Sequence, residues 1–186
     1  KGHVIRDMDI CLSDSKESSY AGLFGAMDSA SVKNLALEDI NITSAAKNGA
    51  YIGGISGKMD NSTVCDVYVS GNITGQNVQN ETIGGIAGAI FQNKVTSEEN
   101  ISLERAISRI NIKSAKKGDT GLLAGWVSGL EYIQHCYTDS KKFPMFGTGV
   151  KWGQNRVLLK QSFLSENNFY GFDFKDTWEM TKQGPK

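Results

Sequence analysis

Side chains with ready chemistry are sparse in this 186-residue chain: two histidines, His3 and His135, and three cysteines, Cys11, Cys65 and Cys136. A zinc-peptidase site of the common kind needs His-Glu-x-x-His, which puts two imidazoles on one helical face with a general base between them. The sequence contains no such motif. His135 and Cys136 are adjacent, but neighbours on a strand point to opposite faces, so they do not form a ligand pair. A serine nucleophile needs a positioned base, and neither Gly-x-Ser-x-Gly nor a phosphate-binding loop occurs. The cysteines are odd in number and far apart, with no Cys-x-x-Cys. They read as free structural thiols rather than as a zinc ribbon or redox pair. Asp7, Asp9 and Asp66 would line one face of a β-helix, where paired carboxylates can cut polysaccharides. The positions taken as equivalent to Asp7 and Asp66 change to Asn34, Arg109 and His135, which reads as a solvated row. The expectation is a chain with no catalytic, cofactor-binding or metal-ligating residue.

What must hold these residues is a repeat. Glycine-closed segments recur: Ala21-Gly-Leu-Phe-Gly25, Gly53-Gly-Ile-Ser-Gly57, Gly84-Gly-Ile-Ala-Gly88 and Gly121-Leu-Leu-Ala-Gly125. Their last glycines are 32, 31 and 37 residues apart. A second element reads apolar, two polar, apolar, variable, apolar. It occurs as Ile5–Ile10, Val32–Leu37, Val64–Val69 and Ile107–Ile112, with a weaker copy at Ile133–Thr138. The alternation at its end is a strand signature, and its three-residue first step implies a bend. Asp7, Asn34, Asp66, Arg109 and His135 are assigned to that bend. A unit of ~31 residues with short strands cannot bury its apolar face alone, so units must stack. Stacking predicts inward columns Ile5–Val32–Val64–Ile107, Met8–Leu35–Val67–Ile110 and Leu23–Ile55–Ile86–Leu123. The closing glycines then mark positive-φ turns or close approach of coils. The predicted fold is all-β: a right-handed parallel β-helix of about four to five coils.

Composition agrees. There are 21 Gly and 2 Pro, which suits many tight turns between fully hydrogen-bonded strands. Lys+Arg and Asp+Glu are both 20, so there is no electrostatic reason to expect nucleic acid. Apolar runs are too short for membrane insertion as a helix. Residues 1–140 are assigned to the repeats, with an insertion near 92–106 that suits a short helix or flap. Residues 141–186 gather aromatics, including Phe143, Trp152, Phe169, Phe172 and Trp178, and read as an aromatic-rich C-terminal cap of the same domain. Five Asn-x-Ser/Thr triplets, at Asn41, Asn61, Asn72, Asn80 and Asn100, read as products of Asn- and Thr-rich turns. The start at Lys1-Gly-His-Val reads as a cut from a longer protein.

Gly22-Leu-Phe-Gly25 followed by Ser31-Val-Lys-Asn-Leu-Ala-Leu-Glu-Asp-Ile-Asn-Ile42 resembles the GLUG-type repeat of bacterial surface proteins. With Ile52-Gly-Gly-Ile-Ser-Gly57, Cys65-Asp-Val-Tyr-Val-Ser-Gly-Asn-Ile-Thr-Gly75 and Ile83-Gly-Gly-Ile-Ala-Gly88, it is similar to the N-terminal region of IgA1-specific zinc metallopeptidases of Gram-positive bacteria. Tyr170-Gly-Phe-Asp-Phe-Lys-Asp-Thr-Trp178 is similar to the segment that ends such arrays. The resemblance implies a secreted or cell-surface bacterial protein. This chain would be a non-catalytic module beside a catalytic domain of the same polypeptide. Zinc would belong to that domain, and the partner or substrate would be host immunoglobulin. The alternatives are an adhesin stalk that binds host protein or glycan, and a polysaccharide-active β-helix.

The column assignment makes Val67 an interior residue. Val67→Asp is expected to destabilise the fold by more than ~3 kcal/mol, since it buries an unpaired charge. Thermal unfolding followed by circular dichroism checks this; an unchanged midpoint removes Val67 from the core.

Overall fold

The computed structural model describes residues 2–13, 17–75, 81–92, 101–114, 119–129, 132–149, 156–158 and 160–186. A complete coil runs through three strands: Ala50–Gly53, Ser56–Asp60 and the long Thr63–Thr74. The same order precedes it as Ser19–Ala21, Phe24–Asp28 and Ser31–Ser44. It follows as Glu81–Gly84, Ala87–Gln92 and Ile101–Lys113. The next coil is shorter: Thr120–Gly121, Ala124–Gly129, Tyr132–Gln134 and Tyr137–Thr138. Equivalent strands stack into three parallel sheets, here termed narrow, corner and wide in chain order within a coil. The first coil contributes His3–Arg6 and Asp9–Leu12 to the wide sheet. Phe146–Gly149 and Arg156–Val157 extend the far side of the corner and wide sheets. This is a parallel β-helix, in which each strand completes its hydrogen bonds on strands one coil away.

The core is a set of inward aliphatic columns. Leu23, Ile55, Ile86 and Leu123 stack at the bend between narrow and corner sheets, as expected. The amide of Ile55 donates to the Ile86 carbonyl and that of Ile86 to Leu123, at 2.9 and 2.8 Å. Ile55, Ile86 and Leu123 are fully buried. Val67 is fully buried too.

The wide sheet corrects two of the expected columns. Val32 pairs with Val64, but Val64 pairs with Leu103 rather than Ile107. Leu35 pairs with Val67, and Val67 with Ala106 rather than Ile110. Ile5 pairs with Leu37, not Val32, and Ile10 with Ile42. The reason is that the six-residue pattern occurs twice in succession on the long strand. Val32-Lys-Asn-Leu-Ala-Leu37 is followed by Leu37-Glu-Asp-Ile-Asn-Ile42. The first-coil copy matches the second half, and so does Ile107–Ile112. The bend positions follow suit. Asp7, Asn34, Asp39, Asp66, Arg105 and His135 all have φ between 46° and 56°. Arg109, placed at the bend from sequence, is regular strand, and Arg105 takes that position. Asp and Asn tolerate this left-handed backbone because their short side chains bond locally.

The closing glycines have no positive φ; close approach of coils explains Gly57, Gly88 and Gly125, since a Cβ on Gly88 would lie 2.5 Å from the Ile52 amide of the preceding coil. The opening glycines are confined in the same way. A Cβ on Gly84 would strike the Ala87 carbonyl oxygen and lie 2.7 Å from the Ala124 Cα. Gly121 is equally confined, against the Ala124 carbonyl oxygen and 2.7 Å from the Gly147 amide. Gly25, at the first coil, has its nearest neighbour 3.5 Å away.

The insertion near 92–106 is only partly described. Residues 93–100 lie outside the described residues, and 101–106 are strand, not helix. Trp152 and residues 76–80 also lie outside them. The C-terminal segment, residues 160–186, consists of two 3-10 turns at Lys160–Leu164 and Glu166–Asn168 and a small hairpin, Met180–Thr181 with Gly184–Pro185. Its cover lies on the flank of the solenoid, across the outer face of the wide sheet. Phe163, Phe169 and Trp178 bury Tyr68, Ile107 and Tyr137 there in a second apolar cluster.

The glycine geometry gives a paired expectation. Gly84→Ala costs about 2–3 kcal/mol because backbone on both sides must move. Gly25→Ala is neutral or slightly stabilising, by up to about 0.5 kcal/mol. Chemical denaturation of the two variants side by side measures the difference; equal stabilities would refute the close-approach account.

Candidate functional site

The outer face of the wide sheet, where the C-terminal segment lies, carries a connected polar grouping. It is built on the bend row. Asn34, Asp66, Arg105 and His135 occupy matching bends on successive coils, with side chains projecting away from the core. Asp66 is the hub. Its Oδ1 accepts from Arg105 Nε at 2.7 Å and from Trp178 Nε1 at 3.1 Å, and its Oδ2 accepts from Arg105 Nη2 at 2.8 Å. Arg105 also pairs with Glu104, which accepts from Gln134 Nε2 at 3.1 Å. The His135 ring lies against Tyr170, with centroids 4.8 Å apart. The Tyr137 hydroxyl accepts from the Tyr170 amide at 2.9 Å.

The electrostatics are those of a tie. Burial alone would push the Asp66 carboxyl up; the hydrogen bonds from Arg105 and Trp178 outweigh it and hold the group below its ordinary value. The hydrogen bond to Asp66 raises the Arg105 guanidinium further above its usual range, against the cost of burial. Burial lowers His135. Every oxygen of Asp66 is already engaged, so it is not poised to accept a substrate proton. Cys65 sits beside it. Burial, then the Asp66 charge, pushes its thiol up to about 11. Cys136, in the Leu35–Val67–Ala106 column, is fully buried and pushed up to about 12. Both are buried thiols raised by desolvation, the opposite of the exposed, low-pKa setting of a reactive cysteine. Cys11 is exposed and unpaired.

Two clefts border the C-terminal segment. The first, of about 270 Å³, lies between the first coils and the hairpin, against Arg6, Glu38, Tyr68 and Trp178. The second, of about 310 Å³, continues past Arg109, Asp139 and Lys186. Their charges compensate one another. Glu38 Oε2 accepts from Arg6 Nε and Lys186 Nζ, both at 3.1 Å. Arg109 Nε donates to Asp139 at 2.7 Å, and Arg109 Nη1 donates to the Gln183 carbonyl at 3.0 Å. These contacts close the segment onto the sheet.

The residues considered for chemistry do not converge. Asp7 is in register with Asp39, whereas Asp66 is in register with Asn34, so the two lie on different rows. Asp9 accepts from Asn41 at 3.1 Å within an amide ladder that also joins Asn111 to Asn72, at 3.2 Å. His3 lies in the first coil, far along the stack from His135. Among the described residues, no group of three or more His, Cys, Asp or Glu is placed to hold a metal ion. The Asp66–Arg105–Trp178 contact was missed from sequence because Arg105 was out of frame by one half of the doubled pattern. Leu103-Glu-Arg-Ala-Ile-Ser108, read as the true fourth copy, carries the signal.

No family model matches the chain, and no solved structure matches it. Among curated proteins it is similar to Halomucin of Haloquadratum walsbyi, 29% identical over 102 residues, which is 55% of this chain. The chain spans about 1% of that protein's length. No helix among the described residues is long and apolar enough to cross a membrane.

Two expectations follow from this geometry. Asp66→Ala leaves the Trp178 N–H without its acceptor and Arg105 with Glu104 as its remaining carboxylate, and costs about 2–4 kcal/mol. It also loosens the C-terminal segment, which limited proteolysis within 160–186 detects. Because the Asp66 value is depressed on folding, its contribution is complete above about pH 4 and is lost as pH falls through the lower native value. Urea titrations across pH 2–6 should therefore converge for the natural chain and the Asp66→Ala variant at the acid end. Separately, a thiol reagent at pH 8 should label Cys11 alone in the folded chain and all three cysteines in denaturant. Rapid labelling of Cys65 or Cys136 in the native state would contradict their burial.

Proposed function

We propose that this chain is a non-catalytic β-helix module of an extracellular protein. The observation that carries the reading is the commitment of the polar row. Asp66, Arg105 and Trp178 are spent on fastening the C-terminal segment, and the inward columns are mainly aliphatic, with Ser56 and Ser108 as buried polar members. What this arrangement offers a larger protein is a stiff body with broad lateral faces. The likeness to Halomucin supports a setting at or beyond the cell surface.

The resemblance of the repeats sharpens the proposal: the module belongs to an IgA1-protease-like zinc metallopeptidase, where it positions the catalytic domain or grips the immunoglobulin substrate. The zinc ligands would lie in that other domain. A second reading is a surface stalk or adhesin segment that has the same fold without an attached peptidase.

The deciding experiment incubates IgA1 with the isolated chain, with the natural full-length polypeptide, and with that polypeptide lacking residues 1–186. The peptidase reading expects no cleavage by the isolated chain and chelator-sensitive cleavage by the full-length protein. It also expects slowed cleavage by the truncated form at unchanged zinc content. A full-length protein that contains no zinc and leaves IgA1 intact sinks the peptidase placement and favours the stalk.

A further inference from the structure

The two ends of the solenoid are unlike. Ile5 shares an inward column with Leu37 and Val69. Leu37 and Val69 are 0% exposed, whereas Ile5 is 37% exposed. Phe24 heads a corner-sheet column that continues through Ser56, Ala87 and Ala124 to Phe146. The three middle residues are not exposed; Phe146, at the far end, is 6% exposed, and Phe24 is 43% exposed. The same positions are therefore interior everywhere except in the first coil. Among the described residues, the exposed large apolar side chains are Val4, Ile5, Tyr20 and Phe24 of the first strands, with Leu164 and Tyr170 of the flank segment.

Polar and aromatic ladders stop at the same edge. Tyr20 stacks on Tyr51 with ring centroids 5.5 Å apart and planes 14° from parallel, and its other face is open. Asp9 ends the amide ladder that begins with its bond to Asn41. His3–Arg6, Ser19–Ala21 and Phe24–Asp28 each have a neighbouring strand on one side only. Soluble proteins blunt such edges with proline, inward charges or bulges, because an apolar open edge recruits other strands. These strands contain no proline, and the edge they present carries exposed Val4, Ile5, Tyr20 and Phe24 between His3, Arg6 and Asp28.

We infer that this edge is an internal coil interface: in the natural polypeptide a further coil of the same repeat, contributed by the same chain, stacks on His3–Arg6, Ser19–Ala21 and Phe24–Asp28. The coil–coil interfaces already present dictate its chemistry. It places aliphatic side chains over Ile5 and Phe24, an aromatic ring or flat side chain on Tyr20, and an amide over Asp9. All three sheets are open together, and only a coil covers three sheets at once; a single added strand would cover one. A second copy of this chain is a poor fit, because at the end it would have to offer the matching aromatic, Phe146, is already covered. The inference rests on the fold and is independent of the function proposed above.

Amide hydrogen exchange tests it in the 186-residue chain and in the natural full-length polypeptide. Edge-facing amides of His3–Arg6 and Phe24–Asp28 should exchange rapidly in the former and at least ~100-fold more slowly in the latter. Equal exchange in the two proteins overturns the inference. Protection in the 186-residue chain that grows with its concentration also overturns it, by making a second copy the occupant. Phe24→Asp supplies a second readout. It should leave the melting temperature of the 186-residue chain nearly unchanged, yet abolish edge protection in the full-length protein, where it buries a charge. Retained protection in that variant counts against a coil seated on Phe24.

Discussion

Everything in this molecule depends on backbone hydrogen bonding between one coil and the next. A strand of four residues such as Ala50–Gly53 has no stability by itself. Laid parallel between Ser19–Ala21 and Glu81–Gly84, it has its peptide groups paired on both sides and its Ile52 side chain sealed in the core. The spacing of that pairing, ~4.8 Å between strands, leaves little room at the sharp bends. Glycine at 53, 84 and 121 is the consequence: the coils must come close enough to bond, and a methyl group there would hold them apart.

The flank of the wide sheet answers a second demand. Its outward row Ala36, Tyr68, Ile107 and Tyr137 is too apolar to face water over several coils. The C-terminal aromatics cover it, and charged contacts pin them at both ends, Lys186 to Glu38 and Trp178 to Asp66. Burial supplies the bulk of the attraction, while the carboxylates supply the address. Asp66, whose carboxyl these hydrogen bonds hold below its ordinary value, is therefore a structural fastener, and its place on a β-helix flank is no sign of glycan chemistry.

Much of the fold was legible in the sequence, because a solenoid writes the same constraint several times. The column Leu23–Ile55–Ile86–Leu123 could be read from the glycine-bracketed segments, since each occurs once per coil and admits one alignment. The wide strand could not be aligned in the same way. Its pattern occurs twice in tandem, at Val32–Leu37 and Leu37–Ile42, so Ile5 and Ile107 each had two acceptable partners, and only backbone pairing selects between them. The misplacement of Arg109 and the omission of Arg105 follow from that ambiguity. The position of the C-terminal segment was also beyond reach. Aromatic content says that a surface will be covered but not which one, and the pairing of Asp66 with Trp178 joins residues with no shared local pattern.

A plain stack of coils transmits stress only to its neighbours and can fray from an end one coil at a time. The flank segment changes the wiring. It touches Glu38 in one coil, Asp66 in the next, Arg109 in the third and Tyr137 in the fourth. Peeling away the coil that holds Glu38 must then also release residues 160–186, so a sequentially weak zipper behaves as a laced bundle. A rod assembled in this way bears load along its length as one body, and its final stiffness is acquired only when residues 160–186 have emerged and docked.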